Sequence, residues 1–344
     1  MFNATESIFI KPLVSVIVTS FKQSETIIQT LESILSQKCD FPFEIIIGDD
    51  CSTDRTRDIC IDYQKRFPEI VRLLFHQENI GVAANFALSI QQAKGKYMAV
   101  CAADDFWHNP TKLQLQVDYL DKKQDYGLVY TDYNKLNVIT NKTIKNYLEK
   151  SNKKIFEGSG LINNFFKGEV PALTLTVMFR KILFDKYVPA EDYVKYHFPS
   201  EDWITWLIIS KYSKIGYLHV STATYRYGHE SLSNILQYEQ IEKRYEKEHF
   251  MYKYLCDMFP DDLFYNELVY DRYVNNILLN LAYKKSDFNS ATKYANQLKE
   301  LGSDNFRIKM AQNLAFFHIF SFLKRIKRKL TTYQPYFANK MSYK

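Results

Sequence analysis

Two pairs of adjacent carboxylates, Asp49-Asp50 and Asp104-Asp105, stand at the ends of short apolar runs, EIIIG at 44–48 and YMAVC at 97–101. In the second pair, neighbouring acids at the end of a buried strand are costly unless something positive lies against them. A hard divalent cation with oxygen ligands, Mg²⁺ or Mn²⁺, carrying a phosphorylated ligand is the natural partner. The plainer reading is an acidic turn opening the next helix, because Asn109-Pro110-Thr111 reads as a helix start. What the rest of the chain brings to the same place bears on the choice.

The positioning elements follow from apolar periodicity. Leu13–Val18 is a continuous apolar run of strand length, followed by a helical pattern with Ile27, Leu31, Ile34 and Leu35 on one face and Ser24 as its expected N-cap. Glu44–Gly48, Val71–Phe75 and the run from Tyr97 read as further strands. Helices are expected between them, one ending before Pro68 and one spanning 82–93. Four strand–helix alternations predict a parallel sheet with helices on both faces. In such sheets the ligand crevice lies beyond the carboxyl ends of the strands, and here those ends carry Thr19, Asp49-Asp50, Asn79 and Asp104-Asp105. No GxGxxG or GxxxxGK[ST] stretch occurs, which excludes the glycine-loop modes of phosphate binding.

Taken in order, VSVIVTSF, the helix ending SILSQ, EIIIGDDCSTDRT, NIGVAAN and GKYMAVCAADDFW resemble the family 2 glycosyltransferases over roughly residues 12–135, and the likeness resumes over 199–234. The resemblance implies an inverting enzyme of the GT-A fold: α/β, with a Rossmann-like, mainly parallel sheet; beyond Asn234, where the likeness stops, 238–259 and 263–301 read as helices of a C-terminal appendage. It implies transfer of a sugar from a nucleotide-diphosphate donor, UDP-linked, to a hydroxyl of a glycan or lipid-linked acceptor. By the same resemblance Asp50 reads the uracil edge, with Thr19 beside it, and Asp104 is the metal ligand of a DxD motif. Asp202 is the general base, Arg226 faces the diphosphate or braces the fold, and His229 contributes to the metal or the diphosphate, with a plain surface histidine as the alternative. The first acid of the DxD motif is replaced by Ala102. A catalytically silent nucleotide- or partner-binding module within a membrane glycan assembly is therefore the alternative reading.

The remaining chain carries less chemistry. Lys112–Leu120 reads as a helix and Gly127–Tyr130 as a strand, 134–170 as a polar excursion without a period, and Ala172–Phe179 as an alternating strand. Asp202 opens a helical pattern, where the dipole alone favours a carboxylate by about 0.3–1 kcal/mol. The expected organisation is a catalytic domain over 1–234, a helical appendage over 235–306 and a basic aromatic tail over 307–344. Net charge is +6, yet nine Lys or Arg and no acid lie from Asn305 onward, leaving −3 before it. Phe316, Phe317, Phe320 and Phe322 beside the run 324–329 suggest a helix lying on an anionic membrane surface; a packed helix with a basic end is the alternative. Five Cys without CxxC spacing read as reduced thiols. With no signal-peptide pattern and no apolar run long enough to span a bilayer, the expected location is cytoplasmic, peripheral on the inner membrane face. No nucleic-acid partner is expected.

Overall fold

The computed structural model describes residues 11–228 and 237–318, which fall into two compact units, one ending at 228 and one starting at 237. The domain boundary expected at 234 and the basic run 324–329 lie outside the described residues.

The first unit is built on one sheet. Its strands are β1 (Val14–Ser20), β2 (Phe43–Asp49), β3 (Val71–Phe75), β4 (Tyr97–Val100), β5 (Phe106–Trp107), β6 (Tyr126–Asn137), β7 (Lys142–Ile144), β8 (Met178–Arg180) and β9 (Lys214–Tyr227). The order is β3-β2-β1-β4-β8-β6-β9-β5, with β7 paired to β6. β3, β2, β1 and β4 run parallel. β8 is antiparallel to both β4 and β6, β9 is parallel to β6, and β5 returns antiparallel to β9. Val14, Val16 and Ile17 on β1 and Ile45 and Ile47 on β2 are wholly buried, as continuous apolar strands must be when helices cover both faces. The helix Ile27–Leu35 supplies part of that cover through Ile27, Leu31 and Ile34.

Three local expectations are corrected. Ser24 does not cap the first helix: Thr26 stands at the cap without a side-chain bond, and the Ser24 amide donates to Asp54 instead. The alternating stretch Ala172–Phe179 holds a 3₁₀ turn, Thr174–Thr176, and only its last two residues belong to a strand, β8. The excursion 134–170 contains the end of β6, β7 and the short helices Tyr147–Lys150 and Ile162–Phe166. β9 is the longest strand and was not expected, because the β6–β9 register shifts around Asp132 and an irregular register erases the two-residue period.

The second unit is helical, with Tyr238–Met258, Glu267–Lys285, Phe288–Glu300 and Phe306–Ala311 around a core that includes Leu278, Tyr294, Leu298 and Ile308. Asn266 and Asp287 cap the second and third helices by accepting from Val269 and Ser290 amides. Phe317, expected on a membrane-facing cluster, is wholly buried in this core. It stacks on Tyr283 with ring centroids 5.0 Å apart, so of the two described aromatics of that cluster only Phe316 is exposed. Among the described residues no helix is long and apolar enough to cross a membrane.

Candidate active site

The end of β1 gathers the acidic segments. The Thr19 carbonyl accepts from the Ala103 amide at 3.0 Å, and the next carbonyl, Ser20, accepts from the Asp50 amide at 2.9 Å. Consecutive residues of one strand thus hold the loop after β2 and the turn after β4 side by side. Thr19 is itself buried.

The two carboxylates after β2 have different work. Asp49 accepts from Ser20 Oγ at 3.0 Å, from the Ser52 amide and hydroxyl at 3.0 and 2.5 Å, and from Arg57 Nε at 2.6 Å. A carboxylate offers about four lone-pair directions, so Asp49 is saturated and structural. Asp50 accepts only two bonds, from the Ile80 amide at 2.7 Å and the Gly81 amide at 3.0 Å, and keeps one open direction on each oxygen. Burial raises its pKa, with the two amides opposing. Asp50 therefore fits a ligand donor such as a nucleobase N–H.

The turn Ala102–Asp105 is held from two sides. Thr30 Oγ1 donates to the carbonyls of Ala103 and Asp105 at 3.0 and 2.6 Å. Arg226 brings its amide to Asp105 Oδ1 at 2.8 Å and Nη1 to the Asp104 carbonyl at 2.6 Å, while Nη2 donates to Gln29 Oε1. Its guanidinium lies 4.7 Å from the Phe106 ring centroid. The structure thus places Arg226 as a brace beneath the acidic turn. Asp105 is buried rather than capping the next helix, whose N-cap is Thr111; Asn109 accepts from the Thr111 amide in the turn just before it.

Burial, then the neighbouring Asp104, pushes the Asp105 carboxyl well above its ordinary 3.8, with Arg226 opposing. A group whose folded pKa is raised favours folding fully below its ordinary pKa. As pH climbs towards the folded value, the unfolded chain has lost a proton that the folded one keeps, and stability falls by up to about 1.4 kcal/mol per pH unit. Asp105→Asn retains an acceptor for the Arg226 amide, so its stability relative to wild type should rise between pH 5 and 8 in urea unfolding; a pH-independent difference would contradict the buried charge.

Asp202 begins the helix Asp202–Tyr212. Oδ1 accepts from Ser200 Oγ at 2.8 Å and the Trp203 amide at 2.6 Å, and Oδ2 accepts from Thr174 Oγ1 at 2.5 Å. Three donors fix the carboxylate and leave one direction open on Oδ2. Trp206 is core, packed at 5.2 Å from Phe179, whereas Trp203 is part-exposed and stacks on Phe166. Thr174, Ser200, Gln29 and Arg57 were not singled out from sequence. Only Arg57 carried a signal, a base eight residues after Asp49 in the first turn of a helix.

Among the described residues no group of three or more His, Cys, Asp or Glu could hold a metal ion, and His229 lies outside them. With Asp105 turned onto the Arg226 amide, Asp104 is the residue of the turn whose carboxylate would hold a divalent ion. That fits the habit of Mg²⁺, which takes one or two carboxylates and completes its shell with substrate phosphates and water.

Residues 15–183 match the family model described as Glycosyl transferase family 2. An uncharacterized Mycobacterium tuberculosis protein is 44% identical over 108 residues, 31% of each chain. TuaG of Bacillus subtilis, which carries the name of a teichuronic acid biosynthesis glycosyltransferase, is 39% identical over 110 residues, 32% of this chain and 42% of its own. The matches thus span about a third of the length of the first of these curated relatives. Among solved structures, Staphylococcus aureus TarS 1–349 in complex with UDP-GlcNAc superposes with a TM-score of 0.54 at 16% identity, covering 91% of this chain and 92% of that one. The fold is GT-A.

Proposed function

We propose, from the premise that residues 15–183 belong to glycosyl transferase family 2, that this chain transfers a sugar with inversion from a UDP-sugar to a hydroxyl of a glycan or lipid-linked acceptor. The carrying observation is the pairing, at the end of β1, of a half-satisfied Asp50 with the braced turn that presents Asp104. The TarS complex with UDP-GlcNAc supports a UDP-sugar donor, and the name of TuaG, for teichuronic acid biosynthesis, supports a glycan product.

Asp50 and Thr19 receive the uracil end of the donor, and Asp104 lies where the diphosphate follows. A divalent ion held by Asp104 and the donor's own phosphate oxygens would neutralise charge developing on the leaving group. The open direction on Asp202 Oδ2 accepts the acceptor hydroxyl. As the hydroxyl oxygen bonds to the anomeric carbon, the bond from that carbon to the UDP oxygen breaks, and the hydroxyl proton passes to Asp202. Arg226 acts through the turn that it braces rather than as a direct diphosphate ligand.

The test is a panel of UDP-sugars with glycan and lipid-linked acceptors, reading UDP release and the anomeric proton coupling of the product. Acceptor-dependent release with inverted configuration is expected. Retained configuration would contradict a single-displacement role for Asp202, and tight UDP binding without any release would favour the silent module that Ala102 suggests.

A further inference from the structure

On the acceptor flank of the sheet, one lysine is buried without a polar partner. Lys135 on β6 is only 5% exposed, yet among the described residues its side chain forms no hydrogen bond or ion pair. Its ammonium lies between two rings, 4.8 Å from the Tyr147 centroid and 4.6 Å from that of Tyr227. Ring faces attract a cation but do not replace its hydrogen bonds. Among the described residues the sealed polar atoms without a partner are Trp206 Nε1 and Tyr238 OH, and Lys135 Nζ is not one of them. Burial, and then Lys153, lower its pKa to about 8, so the group remains mostly charged at neutral pH.

The surroundings are built, not incidental. Asp132 accepts from the amides of Tyr133, Leu148 and Glu149 at 2.6, 2.8 and 3.2 Å, which clamps the short helix Tyr147–Lys150 onto β6. Tyr133 packs on Tyr147 and Tyr225 with centroids 5.4 and 6.4 Å away, completing an aromatic wall. Between 134 and 154 the chain carries six lysines against one acid, Glu149, so the rim is cationic. Lys135 pairs in register with Tyr225, the residue before Arg226 that braces the acidic turn. β6 lies three strands from β1, about 14 Å at ~4.8 Å per strand, away from the nucleoside end of the crevice.

We propose that Lys135, walled by Tyr147 and Tyr227, is a subsite for an oxyanion, phosphoryl or carboxylate, borne by the sugar acceptor. The counter-charge that Lys135 lacks comes from the substrate, and the tyrosine rings flank the adjoining saccharide. The inference rests on the transferase reading for the word acceptor, but its test needs no turnover. Sulfate, which does not titrate near neutrality, is the probe, followed by calorimetry with the full-length protein at low ionic strength, with and without saturating UDP.

Sulfate should bind in both conditions, weaken at least about tenfold in Lys135→Met, and stay within about threefold in Lys135→Arg. In wild type, sulfate should also slow amine labelling of Lys135 followed by mass spectrometry, a readout that does not depend on a variant folding. Displacement of sulfate by glycerol 3-phosphate alone would assign the anion to a soluble glycan, and displacement also by phosphatidylglycerol vesicles to a lipid carrier; either supports the subsite. Displacement by UDP would give the site to the donor and overturn the proposal. So would undiminished sulfate binding in Lys135→Met, or unprotected Lys135. If UDP itself fails to bind, the donor reading falls while the sulfate result stands on its own.

Discussion

Asp202→Asn is expected to lower the rate of sugar transfer by about 10²–10⁴-fold, the range that a positioned general base supplies. The variant is close to a pure removal of basicity. Asparagine keeps an oxygen for the Ser200 hydroxyl and the Trp203 amide, and the Thr174 hydroxyl can rotate from donating to accepting where Oδ2 becomes an amide nitrogen. Unfolding stability should therefore shift little, and UDP affinity should not shift at all, since Asp50 and the Ile80–Gly81 amides are untouched. Loss confined to kcat, with KM for the donor retained, is the signature of an interaction made only in the transition state. Near-normal turnover would remove Asp202 from the base role.

Gly48→Ala is expected to have the largest structural cost at the site. A methyl at Gly48 would come within 2.2 Å of Asn85 Oδ1 and 2.4 Å of Ser89 Oγ, contacts that no real Cβ makes. Asn85 is not a loose end: it is buried, donates to the Gly48 carbonyl at 2.8 Å and pairs with His76 at 3.1 Å. Moving it breaks buried hydrogen bonds and pushes the helix Val82–Gln91 from β2. Overpacking costs about 1–3 kcal/mol and an orphaned buried polar group a further 1–3. Urea unfolding should show a loss of at least about 2 kcal/mol on these terms. Because Gly48 immediately precedes Asp49 and Asp50, UDP affinity should fall as well. A fully stable Gly48→Ala would mean that the helix and β2 are less tightly apposed than the structure places them.

The parallel half of the fold was legible because each of its strands is a near-continuous apolar run ending in a polar signal. Val71–Phe75 matches its expected bounds, and β1, β2 and β4 differ by a residue or two. The other half was not, and the reason is local: β9 and β6 share a shifted register at Asp132, and the polar excursion folds by side-chain clamps such as Asp132 on Leu148 rather than by periodicity. At the site, the resemblance named Asp50, Asp104 and Asp202, but residue types alone gave no reason for Asp50 over Asp49. That reason lies in Arg57, Ser20 and Ser52, three residues drawn to Asp49 by tertiary folding. For Arg226 the sequence left a diphosphate contact and a bracing role both open, and its bonds to the Asp104 carbonyl and Gln29 set the guanidinium against the turn. Phe317 shows the same limit, since an apolar cluster beside bases does not reveal that one of its rings fills a helical core.

The most direct test of the account is calorimetric titration of UDP into wild type and Asp50→Ala, in the presence and absence of Mn²⁺. Loss of a charge-assisted bond to the uracil N–H should weaken binding by about 1.5–3 kcal/mol, roughly ten- to a hundredfold. Burial holds the Asp50 carboxyl above its ordinary 3.8, so UDP affinity should also fall as pH drops towards that raised value, while Asp202→Asn binds as wild type does. UDP bound equally by wild type and Asp50→Ala, or by neither, would contradict a donor site at the end of β1.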